Sequence, residues 1–328
     1  MKTRMQVTIK VVLLLFSLVF SLPSFSLPSI VQGSSHVGVT WGSTYHNTTF
    51  DPDPDWYSTY EAPAMNDTTE YIMNLIWTGQ AGPNWIGNNF FGAMTTATNV
   101  YQVSDIIQGS ADYDYLSTFH VGDMYPTVIS GTRHYAYYGS QGADNGIIDT
   151  NLYPHTSWKH LFTFIYTCTN GGLIDIDGDG DYDFYGFVDM QNDTGIVGMP
   201  FAWTNTTDLS WDGYDDPDYS GYVYIGFENI SKWMCDSSEF INYNYGEFVK
   251  RFYYHALVNH YNISWALDRA MYDVTNWQQT FGASGLYNGY WARNPAFDPS
   301  QNSTYPTNWE WWWSRMRVFG DGNMELPY

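Results

Sequence analysis

Three features of this chain predict an α/β fold with a mainly parallel central sheet. Strand-like and helix-like stretches alternate along it, which is the order that builds βαβ units. Its clearest strand, Leu161 to Tyr166, reads LFTFIY: nearly all apolar or aromatic, without polar alternation, and too short for an ordinary helix. Such a run belongs to a strand buried on both faces, as parallel sheets require. No internal repeat, linker or low-complexity segment interrupts the pattern, so residues 27–328 read as one domain.

Taken in order, His36 to Thr44 (HVGVTWGST) alternates and reads as the first strand. A loop rich in Pro, Asp and Tyr follows, as far as Asn66. Asp67 is placed to cap a helix running to about Trp77, with Tyr71, Ile72, Leu75 and Ile76 on one face. Trp85 to Met94 is aromatic and Gly-broken, a second strand. Thr98 caps a helix over Asn99 to Gln108, turning Val100, Val103, Ile106 and Ile107 inward. Tyr113 to Phe119 is the third strand, ending at His120-Val121-Gly122-Asp123. A polar excursion from Met124 to Ser157 carries a hairpin around His134 to Tyr138. The LFTFIY strand then ends at Cys168, before a turn of Thr169, Asn170, Gly171 and Gly172. Gly198 to Thr204 reads as a short extended piece, Trp211 to Tyr219 as an acidic loop, and Tyr222 to Phe227 as a further strand. Two helices follow, over Gly246 to Asn259 and Ser264 to Thr275, with Ser264 as N-cap. Trp309 to Arg317 is a mixed aromatic stretch, and Arg317 to Leu326 a strand with a Gly turn.

The first 26 residues fall outside this plan. Lys2, Arg4 and Lys10 precede the apolar run Val11 to Phe20, and Ser24 and Ser26 follow in the spacing a signal peptidase accepts. This predicts export, with cleavage near Ser26, a secreted or cell-surface location, and no membrane span once the signal is removed. Sequons at Asn47, Asn66, Asn192, Asn205, Asn229, Asn262 and Asn302 fit an exported glycoprotein. The chain has 34 acidic and 12 basic residues. That balance excludes nucleic acid as a partner, since phosphates need Lys and Arg. Aromatics at 19% and charges at 14% predict an ordered fold with a surface of Asn, Ser, Thr and Tyr.

Two stretches carry chemistry. Asp175, Asp177, Asp179, Asp181 and Asp183 form a ladder with Gly178 and Gly180 between them. Counted from Asp175, the alternation and the Gly at position six match the first half of an EF-type calcium loop. Position twelve is Gly186 rather than Glu, so the closing bidentate ligand would have to come from elsewhere, such as Asp189. Five close carboxylates repel one another unless a cation joins them, and Ca2+ is the expected structural ion. The second stretch is Cys168 itself, set where a buried strand meets a glycine turn. That is the carboxyl edge of a sheet, where open α/β folds place their sites. An exported chain with two cysteines, Cys168 and Cys235, would ordinarily pair them. The strand-end position of Cys168 instead predicts free thiols.

The order of these pieces resembles the caspase-like cysteine peptidases, above all the gingipain-like branch with its metacaspase relatives. In that family one strand ends in a Gly-His-Gly type motif and the next in Ala-Cys-X-X-Gly. Here a strand ends at Gly122-Asp123, the next ends at Cys168 with Gly171 three residues on, and Gly320-Asp321-Gly322 is similar to the family's terminal Gly-Asp-Pro turn. His120 precedes Cys168 by 48 residues, against roughly 50 in caspases. The likeness covers about Val37 to Leu326 and implies a three-layer sandwich around the parallel sheet. It also implies peptide-bond hydrolysis with Cys168 as nucleophile, Gly122 contributing to the oxyanion site, and Trp203 lining a specificity pocket. The family's histidine position is filled by Asp123, which cannot act as an imidazolium beside a thiol. His120 is therefore the candidate base. The alternative is a catalytically inactive, calcium-stabilised protein that serves as a binding or structural protein at the cell surface.

Overall fold

The computed structural model describes residues 35–45, 57–129, 132–139, 142–167, 173–174, 183–184, 198–205, 222–227, 231, 234–235, 245–275 and 316–328. All lie in one compact unit, Gly33–Tyr328. The proposed signal segment lies outside them, as do Cys168 and Asp175 to Asp181.

The centre is the expected parallel sheet. Strands β1 (Ser35–Gly42), β2 (Trp85–Phe91), β3 (Tyr113–Val121), β7 (His160–Tyr166) and β10 (Val223–Phe227) run parallel in the order β10-β7-β3-β1-β2. A sixth strand, β11 (Met316–Gly320), closes the edge antiparallel to β10. Between β3 and β7 the polar excursion forms a full three-stranded meander, β4 (Met124–Ile129), β5 (Thr132–Gly139) and β6 (Gly142–Ile147), where one hairpin was expected.

Helices cover both faces. On one side lie α1 (Ala62–Trp77), α5 (Tyr245–Leu257) and α6 (Ile263–Thr275), with α5 packed on both of the others. Phe119, Val121, Phe162, Phe164, Val223, Ile225 and Phe227 meet Phe248, Phe252, Tyr253 and Leu267 there in one buried cluster. Phe119 stands edge-on to Tyr253 at 5.7 Å and 77°, the geometry aromatic quadrupoles favour. The other side carries α2 (Ala97–Gly109), the short helices α3 (Asp149–Leu152) and α4 (Met199–Thr204), and the meander.

Several element boundaries differ from the sequence reading, each for a local reason. Helix α1 begins at Ala62 rather than Asp67, because Pro63 in its first turn already holds a helical φ. Asp67 is inside the helix and forms an ion pair with Lys250 of α5. Thr96, not Thr98, caps α2: its hydroxyl accepts from Asn99 N at 3.1 Å. Ile106, expected inward, is 40% exposed. Gly198 to Thr204 is helical, not extended. Pro200 sits in its first turn, and Gly198 at φ 100° turns the chain into it. In α6 the cap is Asn262, whose Oδ1 accepts from Trp265 N at 2.8 Å, while Ser264 donates to Gly322 O. At the end of β11, Gly320 has φ 92°, and a Cβ there would lie 2.2 Å from Tyr222 O, so only glycine fits.

Candidate functional site

The strand order fixes where a site can lie. β2 sits to one side of β1 and β3 to the other, so the chain changes direction between β1 and β3. Ligands in open α/β sheets bind beyond the carboxyl ends of the strands at such a switch point. Here that edge holds Ser43 after β1, Gly122 and Asp123 after β3, and Thr167 after β7. Ser43 N donates to Val121 O at 2.9 Å, and Gly122 N to Tyr166 O at 3.4 Å, which continues the sheet one residue past each strand. Thr95 pins the neighbouring ends, its hydroxyl lying 2.9 Å from both Gly42 O and Phe90 O.

β3 and β7 are paired to their last residues, with His120 opposite Ile165 and Val121 opposite Tyr166. Thr167 leads in sequence into Cys168, which lies outside the described residues. The two strand ends expected to carry the reacting pair are therefore neighbours.

His120 is fully buried, with neither ring nitrogen hydrogen-bonded. Its ring packs against Tyr137 of β5 at 4.2 Å. Burial alone pulls its pKa down to about 3, since an imidazolium without water or a counter-charge is costly. The imidazole is thus neutral at ordinary pH. A Cβ placed on Gly122 would lie 3.0 Å from Ser43 Cβ and 3.3 Å from His120 Nε2. Gly122 therefore packs closely against both, and a side chain there would press on that buried nitrogen.

Asp123 is on the opposite side. Its Oδ1 accepts from Met124 N at 2.8 Å. Its charge acts on Tyr57, which belongs to the helix-side cluster, whereas His120 lies under Tyr137. Burial first, then Glu61, then Asp123, push the Tyr57 phenol far above its ordinary pKa. The alternation of β3 therefore keeps His120 and Asp123 apart. Gly122 directs its N–H at Tyr166 O. Trp203, expected to line a pocket, is 1% exposed and donates from Nε1 to Tyr137 OH at 2.7 Å. It holds up the ring that covers His120.

Sequence reasoning missed three groups around this edge. Tyr57 donates to Ser43 O at 3.3 Å. Glu61, 3% exposed, accepts from Met234 N at 2.8 Å and Cys235 N at 3.0 Å. Its carboxylate ties the segment beyond β10 to the head of α1. The third group is a buried pair between β5 and α3. His134 Nδ1 lies 2.8 Å from Asp149 Oδ2, and Asp149 also accepts from Gly198 N and Thr150 N at 2.7 Å each. These donors all belong to the fold's own interior, so the pair ties the meander to α3 and α4. Glu61 stood in a loop without periodicity that also carries Asp51, Asp53 and Asp55, so no local signal singled it out.

The Asp ladder is framed by backbone. β8 (Leu173–Ile174), just before the ladder, pairs antiparallel with β9 (Asp183–Phe184), which holds its last aspartate. Among the described residues no group of three or more His, Cys, Asp or Glu is placed to hold a metal ion. No helix among them is long and apolar enough to cross a membrane. Neither a protein-family model nor a curated protein matches the chain.

Proposed function

We propose that this chain is a secreted cysteine peptidase-like protein, with Cys168 as nucleophile and His120 as base. One observation carries the reading: parallel pairing of β3 with β7 sets His120–Asp123 beside the strand end that leads into Cys168. The hydrogen bond from Gly122 N to Tyr166 O supports it, because it carries the pairing of the two strand ends one residue further. In this mechanism neutral His120 accepts the thiol proton as sulfur bonds to the peptide carbonyl carbon. The resulting imidazolium then protonates the departing amine, and water releases the acyl group from sulfur. An imidazole with so low a pKa does not form a resting thiolate–imidazolium pair. Activity would therefore climb with pH toward the ordinary thiol range, about 8.5.

A second reading, an inactive binding protein on the same scaffold, draws on two observations: both nitrogens of His120 are buried, and Asp123 fills the family's histidine position. Labelling with a thiol-reactive peptide probe separates the two, with Cys168→Ala as control. The peptidase reading expects labelling that His120→Ala abolishes and Asp123→Ala leaves partly intact. The binding-protein reading expects no labelling until Asp123→His restores an imidazole. Labelling that survives loss of both His120 and Asp123 would sink the dyad.

The ladder sets Asp175, Asp177, Asp179, Asp181 and Asp183 at alternate positions of one short stretch of the sequence. That arrangement suits a hard cation with oxygen ligands. Asp175, Asp177, Asp179, Asp181 and Asp183 would hold Ca2+, whose contribution would be to stiffen the loop that follows Cys168.

A further inference from the structure

Three of the seven sequon asparagines lie among the described residues, and their amide groups are in different situations. Asn205 donates from Nδ2 to Tyr153 O at 3.2 Å and to Thr156 Oγ1 at 3.3 Å. Thr156 is buried, so a sugar on that nitrogen would have to displace packed structure. Asn66 is inside α1 and donates from Nδ2 to Glu70 Oε1 at 2.9 Å. Asn262 stands partly exposed at the head of α6. Its Oδ1 caps the helix by accepting from Trp265 N, and its Nδ2 makes no hydrogen bond among the described residues.

An N-glycosidic bond replaces one hydrogen of Nδ2 and leaves Oδ1 as it was. At Asn262, capping and glycosylation are therefore compatible; at Asn205 a sugar competes with existing bonds. Beside Asn262 is Trp265, whose backbone N–H the cap holds and whose side chain is 57% exposed. The ring of Tyr261 lies 6.3 Å from its indole. An exposed indole offers an apolar, electronegative face. The C–H face of a pyranose is apolar and weakly electropositive, so the two surfaces match.

We propose that Asn262 is an N-glycan attachment site whose first sugar packs on Trp265, and that Asn205 carries no glycan. The proposal rests on the export reading. It is tested by secreting the chain from a glycosylating eukaryotic host, once with its own first 26 residues and once with a host leader in their place. Retention of the first form alone counts against the chain's own signal, and the second form still decides the glycan.

Peptide N-glycosidase hydrolyses the sugar–amide bond and turns a glycosylated Asn into Asp. The expected result is conversion of Asn262 and none of Asn205, read by mass spectrometry of the peptides. Because the aspartate left by the enzyme would still cap the helix, the change in Tm on deglycosylation reports the sugar and not the cap. A fall of roughly 2 °C is expected in the unmodified sequence, and no fall in Trp265→Ala. An Asn262 that emerges unmodified in the secreted protein overturns the site. An equal fall in Trp265→Ala overturns the packing on the indole.

Discussion

His120 and His160 are two imidazoles that the fold keeps neutral. Burial lowers the first to about 3 and the second to about 4. The unfolded chain binds protons at both sites below about pH 6.5, while the folded chain does not until much lower pH. Stability is therefore fully present above about pH 6.5 and falls as the solution is acidified toward those folded values. Each buried imidazole should remove about 2 kcal/mol between pH 7.5 and pH 5. Urea unfolding at the two pH values measures this. The loss should shrink in His120→Leu, and an unchanged slope would contradict the neutral imidazole. The sheet interior also buries the hydroxyls of Thr118 and Thr163. Thr118 and Thr163 are direct neighbours on β3 and β7, and neither hydroxyl has a partner. A buried hydroxyl without a hydrogen bond costs free energy that a methyl of the same shape does not. Thr118→Val and Thr163→Val should each raise stability by about 1 kcal/mol, seen as a higher Tm. A lower Tm would mean that the hydroxyls are satisfied in solution.

Among the elements, α2 offers the sharpest comparison. Thr96 and Thr98 are both threonines near its start, and the sequence favoured Thr98. Thr96 reaches a backbone N–H, that of Asn99, while Thr98 is exposed in the first turn. Thr96→Ala should cost about 1 kcal/mol, and Thr98→Ala should lie within the small range of surface substitutions. Equal effects in thermal denaturation would refute the assignment of the cap. The C-terminal end of α2 is closed differently. Lys159 Nζ donates to Ile107 O at 3.2 Å and also reaches Ser110 O, a cation on carbonyls that the helix leaves unpaired.

Across the whole molecule, the sheet brings His120 and the Cys168 strand together although a three-stranded meander separates them in sequence. The loop beyond that strand carries the proposed calcium site. A ligand that binds only the folded state stabilises it by mass action. Chelation should therefore lower Tm, and replacing Asp177 and Asp179 with Asn should weaken that response. The same melting curve with and without chelator would count against the ion.

By itself the sequence determined the α/β class, the order of the parallel strands' segments and the end of β7 at the sheet's carboxyl edge. Those follow from local signals: apolar runs of strand length, helical periodicity and glycine turns. Caps were legible only to within two residues, because Thr96, Thr98, Asn262 and Ser264 carry the same chemistry and the angle at which the chain approaches the helix selects among them. Tertiary structure alone decided that His120 is neutral and roofed by Tyr137, that Trp203 is a core support, and that Glu61 holds the backbone at Met234 and Cys235. Each is a contact between residues far apart in the chain. Burial and pairing of that kind depend on which faces the sheet order brings together, and no pattern within a short window encodes it.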